Sequence, residues 1–348
     1  MPSTTTLCAK FDGEVVGTMS LIRESVFGFP LQTIFDLGLV RAHKGNIAEV
    51  SALAIHPKFR KTGGSILFPL MKFMYEYCTT FFDTRHLVIA VNPNRIEMYE
   101  SLLFFERLTE NTVANYDFAN GAPAVGASLD LKRAPRLLER NYAGKKPRRD
   151  LHHYFIKSVL PNIVVPSRRY FTTNDPVMTP ELLDYFFNQR TQVFANLDNR
   201  GKGLLHSIYD LSSYASVLPV ASTEVVKPQL QRNHQRYSVK CPAIFRVKVA
   251  NRREDFRLNV VDLSEHGFNA QSSLALPLNT WGQAIIQLGK SEKSTDKSMA
   301  VWVDVNESGL FHGFVLSHPD LAWRKLVNAM MSGTTHEDLE NATRFLSD

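Results

Sequence analysis

Residues 256–267 read Phe256-Arg257-Leu258-Asn259-Val260-Val261-Asp262-Leu263-Ser264-Glu265-His266-Gly267. An apolar run that alternates at its end and stops at a glycine reads as a β-strand entering a turn. Asp262 and Ser264 then project from one face of the strand and Leu263 from the other, with Gly267 permitting the turn. The same texture extends to both sides. Tyr237–Val249, Phe256–Leu263, Gly282–Leu288, Met299–Val305 and Leu310–Leu316 are short β-type runs separated by polar turns, and Leu321–Met330 has the spacing of a closing helix. Evenly spaced strands of this kind close into a small barrel.

Just ahead of the first of these strands stands Arg232-Asn233-His234-Gln235-Arg236. Two guanidinium groups four residues apart suit phosphate oxygens and guanine O6/N7 edges, which arginine grips in bidentate fashion, and their planes stack on bases. A carboxylate at Asp262 can accept two N–H bonds from a guanine edge, and Ser264 can bond a phosphate or a base. Together these residues resemble the PilZ pattern, RxxxR followed about 25 residues later by (D/N)xSxxG, and Val301-Trp302-Val303 and Phe311-His312-Gly313-Phe314 look like that family's late strands. The resemblance covers roughly 100 residues. It implies a six-stranded barrel that receives cyclic di-GMP through Arg232, Arg236, Asp262, Ser264 and Gly267, and that changes the contacts of neighbouring domains on binding.

The beginning of the chain has a different texture. Phe11-Asp12-Gly13-Glu14 predicts a hairpin turn before Val15–Ile22; a second strand, Ala48–Ile55, leads through Arg60-Lys61-Thr62-Gly63-Gly64-Ser65 into a helix reaching Cys78. Pro69 falls near the first turn of that helix, where it is tolerated. A third strand, Leu87–Val91, passes through Asn92-Pro93-Asn94 into a helix carrying Met98, Tyr99, Leu102 and Leu103. Strand, glycine turn, helix, strand, helix predicts a sheet with helices packed on it. Backbone N–H groups at Gly63, Gly64 and Ser65, at a helix N-terminus, suit a phosphate, with Arg60 beside them; a plain helix start is the competing reading.

From Thr6 to about Leu131 the chain resembles the N-acyl amino acid synthase branch of the GNAT superfamily, relatives of the acyl-homoserine-lactone synthases. The resemblance rests on Gly17-Thr18, Phe29-Pro30, Ala48-Glu49-Val50-Ser51-Ala52-Leu53-Ala54, Val91-Asn92-Pro93, Tyr99-Glu100-Ser101-Leu102-Leu103-Phe104-Phe105 and Asn120-Gly121-Ala122-Pro123-Ala124. It implies transfer of a long-chain acyl group from the phosphopantetheine arm of acyl carrier protein to an amino acid amine. On that reading Glu49 removes the amine proton, directly or through water, while Asn92 and Tyr99 orient the donor arm or protonate the leaving thiolate. Arg60, Gly63, Gly64 and Ser65 would receive the arm's phosphate. The chain departs from the wider pattern in three places: Ser65 closes the (R/Q)xxGx(G/A) turn, Ala52 stands where lactone synthases carry arginine after Glu-x-Ser, and the strand and two helices that open the fold do not precede the first hairpin.

Between the two regions the composition shifts. From Lys132 to Arg169 there are eleven Lys/Arg against Glu139 and Asp150, so this stretch carries more than the whole net charge of +6. Such a basic segment suits an acidic protein partner, nucleotide phosphates or anionic lipid, or is a solvated connector; the resemblance to the synthases implies acyl carrier protein as that acidic partner. It lacks the interleaved aromatics of a nucleic-acid recognition element, so a nucleic acid polymer is not an expected partner. Thr179-Pro180 then predicts the start of a helix whose stripe is Leu182, Leu183, Phe186, Phe187, Val193, Phe194 and Leu197.

The 348 residues, 44% of them hydrophobic, suffice for more than one core. No apolar run reaches membrane-spanning length and Met1–Thr6 has no signal-peptide character, which together predict a cytoplasmic protein. Cys8, Cys78 and Cys241 are widely spaced and predict neither a disulfide framework nor a metal site. The expected architecture is α+β: a GNAT-like mixed sheet with helices over 1–133, a basic and helical connector over 134–226, a six-stranded PilZ β-barrel over 227–330 and a tail over 331–348. Two functions fit it: an N-acyltransferase under cyclic di-GMP control, or a non-catalytic cyclic di-GMP receptor whose acyltransferase-like fold binds an acyl ligand or a protein.

Overall fold

The computed structural model describes residues 3–25, 28–82, 84–165, 168–173, 178–209, 212–220, 236–249, 252–306 and 309–332. The chain divides into two compact units, one spanning Ser3–Val165 and the other the described residues beyond it. No helix among the described residues is long and apolar enough to cross a membrane.

In the first unit, β1 (Thr4–Phe11) and β2 (Glu14–Arg23) form the expected hairpin. Its turn places both Asp12 (φ 49°) and Gly13 (φ 83°) in the left-handed region, as the tightest hairpin turns require. There follow α1 (Gly38–Arg41), β3 (Asn46–Ile55), α2 (Leu67–Phe81), β4 (Thr84–Val91), α3 (Pro93–Leu103), β5 (Glu106–Arg107), β6 (Val113–Tyr116), β7 (Ala122–Asp130) and α4 (Ala134–Tyr142), then a π-helical turn, His153–Lys157. The sheet order is β1-β2-β3-β4-β7-β5, with β6 also paired to β7. Only β3 and β4 run parallel, because only they are joined by a helical crossover, α2.

Side chains alternate across this sheet. Leu87 and Ile89 of β4 join the core beneath α2 and α3, to which α2 contributes Leu70, Met74, Tyr77 and Cys78 at helical spacing. Val88 joins a second core on the opposite face with Leu31, Phe35, Ile47 and Tyr116. Asn92 caps α3 by accepting from the Asn94 N–H at 3.0 Å, and Pro93 takes the first helical position, where its missing N–H is no loss.

The second unit opens with α5 (Pro180–Asp184), a π-helical turn at Tyr185–Gln189, and α6 (Asn199–Ile208). Thr179 caps α5 through its hydroxyl, which accepts from Leu182 N–H at 3.4 Å. The single long helix that the apolar stripe predicts is not formed. The π-turn interrupts the helical spacing: Leu183 before it and Phe194 beyond it are buried, while Phe186 within it and Val193 beyond it remain exposed.

Beyond it, β8 (Tyr237–Val249), β9 (Arg252–Ser264), β10 (Gly267–Ser272), β11 (Trp281–Gln287), β12 (Lys293–Asn306) and β13 (Gly309–Leu316) close an antiparallel barrel in the order β10-β13-β12-β11-β8-β9. Phe245, Val260, Leu263, Ala270, Ile286 and Phe314 fill it, and Phe268 stacks on Phe314 with ring centroids 4.4 Å apart. The helix α7 (Leu321–Ser332) packs Trp323, Leu326, Val327 and Met330 into the same core. Its first turn is fixed to the barrel by Asp320, which accepts from the N–H groups of both Trp323 (2.7 Å) and Thr295 (2.9 Å).

Candidate active site and nucleotide-binding face

The first unit's site begins with a fault in its sheet. Thr18 pairs with Ala54 and Ser20 with Ser51, so Ala52 and Leu53 together oppose Met19 in a β-bulge, with Ala52 at φ +47°. A bulge bends its strand away from its neighbours. Pairing of β3 with β4 accordingly ends at Val50↔Ile89, and the last five residues of β3 leave Ala90 and Val91 without a strand partner on that side. A cavity of about 650 Å³ fills the resulting wedge. Its rim carries Ser51, Leu53, Asn92, Arg95, Phe118 and Asn120, and its depths are apolar, with Met74, Leu87, Ile89, Leu138 and Phe155.

Glu49 stands behind this cavity on β3, 1% exposed. The backbone N–H of Leu31 donates to its Oε2 at 3.0 Å and the Ser51 side chain hydrogen-bonds to it. Burial outweighs both bonds and pushes its carboxyl from 4.5 up to about 7. Glu49 does not border the cavity, but Ser51 and Tyr116 do. The Tyr116 hydroxyl is buried with no hydrogen-bond partner among the described residues, and burial together with the Glu49 charge holds it well above the ordinary phenol range. Asn92 and Tyr99 both line the cavity, and burial keeps the Tyr99 phenol protonated by raising its pKa.

The four residues read as a phosphate cradle lie at the start of α2. Gly63 (φ +64°) and Gly64 (φ +84°) take left-handed conformations, and a Cβ on Gly64 would strike the Phe68 ring at 2.5 Å. Arg60 Nε donates to Ile55 O at 2.9 Å, tying the exposed guanidinium to the end of β3. Ser65 is turned inward on its own loop: its N–H donates to Thr62 O at 3.3 Å and its hydroxyl meets Thr62 Oγ1 at 2.5 Å. The helix N-cap, Ile66, supplies no side-chain acceptor.

In the barrel, Asp262 pairs with Ser238 on one side and Asn269 on the other. Its carboxylate receives Arg236 Nη1 at 3.2 Å and Asn269 Nδ2 at 3.4 Å. The Asn269 Oδ1 is buried with no partner among the described residues. Ser264 Oγ donates to Gly267 O at 3.2 Å, and Leu263, between Asp262 and Ser264, is fully buried. Gly267 is required for a different reason than a turn conformation: its Cα lies against β13, and a Cβ would come 2.4 Å from Phe314 O. Arg232 lies outside the described residues.

The sequence reading missed Tyr116, Ser51, Arg95, Leu138 and Phe155 as site residues. Ser51 was within reach of it, two positions along the same strand face from Glu49. Tyr116, Leu138 and Phe155 come from distant elements and carry no local signal.

These two sites give the chain an apolar cleft in one unit and a closed barrel bearing an arginine–aspartate face in the other. A family model described as N-acyl amino acid synthase FeeM matches residues 1–130, so this segment is similar to those synthases. Among solved structures, FeeM from uncultured soil microbes is 26% identical over 39% of this chain and 72% of its own, with a TM-score of 0.33. The acyl-homoserine lactone synthase BjaI, solved with SAM and isopentyl-CoA, is 16% identical over 44% of this chain and 64% of its own, TM-score 0.31. YcgR from Escherichia coli, solved in complex with c-di-GMP, is 16% identical over 34% of this chain and 50% of its own, TM-score 0.25. No curated protein matches the chain.

Proposed function

We propose that the first unit is an N-acyltransferase that moves a long-chain acyl group from the phosphopantetheine thioester of acyl carrier protein to the amine of an amino acid, and that the barrel is a cyclic di-GMP receptor that controls it. The observation that carries the reading is the apolar cavity running from the β3–β4 wedge, with a carboxyl of pKa about 7 immediately behind it. A carboxyl of that pKa is ionised about half the time at neutral pH and exchanges protons readily there. The amine nitrogen attacks the thioester carbonyl, forming the C–N bond; its proton passes to Glu49 through the Ser51 hydroxyl or a water. Collapse of the tetrahedral intermediate breaks the C–S bond, Asn92 and the neutral Tyr99 hydroxyl orient the arm, and the departing thiolate takes its proton from water at the open rim. Arg60, Gly63 and Gly64 at the uncapped start of α2 would meet the arm's phosphate, and the basic segment 132–169 would attract the acidic carrier protein.

For the barrel, the support is the partly exposed Asp262 carboxylate, flanked by Arg236 and Asn269. A guanine edge presents N–H donors to such a carboxylate, while Arg236, released from Asp262, and Arg232 take its O6/N7 edge and the phosphates. That Glu49 stands behind the cavity wall favours a second reading, a receptor that binds an acyl ligand without turning it over. Mass spectrometry of wild type and Glu49→Gln, each incubated with acyl carrier protein thioester and mixed amino acids, separates them. An enzyme gives N-acyl products that fall in the variant; a receptor gives none in either.

A further inference from the structure

The cavity of the first unit is closed by chain that follows the 130-residue segment similar to the synthases. Ala134 and Leu138, one turn apart on α4, and Phe155 on the π-helical turn all border it and all are buried. Phe155 sits in an aromatic cluster, 5.1 Å from the Tyr154 ring centroid and 6.3 Å from that of Phe68. Its backbone is pinned by an unusual device. Lys72 of α2 is completely buried, and its Nζ donates to Phe155 O at 3.2 Å while pairing with Glu76 Oε1 at 2.7 Å. A buried ammonium is costly unless paired and hydrogen-bonded, so this tether fixes where the π-turn, and with it the Phe155 ring, can lie.

We infer that residues 134–157 set the length of the acyl chain this protein accepts, with Phe155 as the end wall of the cavity, Ala134 as the space beside it and Lys72 as the positioning residue that holds the wall. The inference rests on reading the cavity as an acyl site. An apolar pocket of fixed depth gains roughly fourfold in affinity for each methylene it buries and loses that gain once the chain meets the wall.

The test is binding of straight-chain saturated fatty acids of about 8 to 18 carbons to the full-length chain, followed by displacement of a fluorescent fatty acid, in wild type, Phe155→Ala, Ala134→Leu and Lys72→Met. Wild type is expected to show a length optimum. Phe155→Ala should move it to longer chains by about two carbons or more, Ala134→Leu should move it to shorter ones, and Lys72→Met should flatten it. Ala134→Leu, which adds volume and removes nothing, keeps the test decisive if Phe155→Ala fails to fold. An identical optimum in wild type and Ala134→Leu, both folded and both binding, overturns the inference alone. Failure of every chain length to bind wild type overturns the acyl reading of the cavity beneath it.

Discussion

The backbone N–H of Leu31 points at Oε2 of Glu49 from 3.0 Å, across the sheet face opposite α2. Leu31 belongs to a single 3-10 turn, Pro30–Thr33, in which Pro30 has no N–H and the Gln32 N–H donates to Phe29 O at 3.1 Å. The Leu31 N–H is thereby left to hold the carboxylate, and its bond favours the ionised form. This bond and that from Ser51 partly offset the burial that raises Glu49, which leaves a group that gains and loses its proton near neutrality.

Glu49 ionises near 4.5 when unfolded and near 7 when folded, so the folded protein holds the extra proton between those values. Stability of the first unit should fall as pH rises from 4.5 through 7, by roughly 3 kcal/mol for this group. Urea unfolding of wild type and Glu49→Gln at pH 5 and pH 8 measures it: the decline should shrink in the variant, and equal declines would remove Glu49 as its source. Acyl transfer should rise over the upper part of the same range, because the ionised carboxylate is the proton acceptor, and that rise should vanish in Glu49→Gln.

Arg236→Ala and Asp262→Ala should each abolish tight cyclic di-GMP binding by titration calorimetry, as should Arg232→Ala. Arg236 and Asp262 are both partly exposed, so losing their ion pair should change stability by less than about 1 kcal/mol. Unchanged affinity in a folded variant would count against the receptor reading.

Gly267→Ala should destabilise the barrel by about 1–3 kcal/mol, because the added methyl meets the Phe314 carbonyl oxygen on the neighbouring strand. A thermal melt reads the loss. No loss would mean that β10 and β13 can part at that point without disturbing the barrel.

His312 is fully buried in the barrel, with Leu276 N–H donating to Nε2 at 3.3 Å and Nδ1 3.3 Å from Ser272 Oγ. The Ser272 hydroxyl donates to Leu274 O, so the ring is neutral with its proton on Nδ1. Burial lowers its pKa below 6.5, so the unfolded chain takes up the proton first as pH falls. Its contribution to stability is complete above 6.5 and is lost as pH drops through the lowered folded value. Unfolding followed by barrel tryptophan fluorescence at pH 7 and pH 5 should show the decline, and His312→Gln should reduce it.

The elements legible in the sequence are those whose pattern is local. The Asp12-Gly13 turn, the runs that become β3 and β4, and the capped start of α3 are each specified by neighbouring residues. The strand β10 is not: Gly267-Phe268-Asn269-Ala270-Gln271-Ser272 has little intrinsic strand preference and is held extended by pairing with β9 and β13 as the barrel closes. The stripe after Thr179 misleads because helical spacing does not encode a π-turn. In the sites, Asp262 and Ser264 are legible because strand alternation fixes their face, whereas Glu49 is singled out through the resemblance carried by Ala48-Glu49-Val50-Ser51-Ala52-Leu53-Ala54 and not by its spacing. Tyr116 and Phe155 become site residues only when β6 and the π-turn fold back over the cavity, which no spacing in the chain announces.

Control of acyl transfer by the barrel is read from the rate of N-acyl amino acid formation from acyl carrier protein thioester as cyclic di-GMP is titrated into wild type and Arg236→Ala. The rate should change in wild type over the concentrations at which the nucleotide binds and stay flat in the variant. Product formation indifferent to the nucleotide in both, or no product under any condition, would contradict this control.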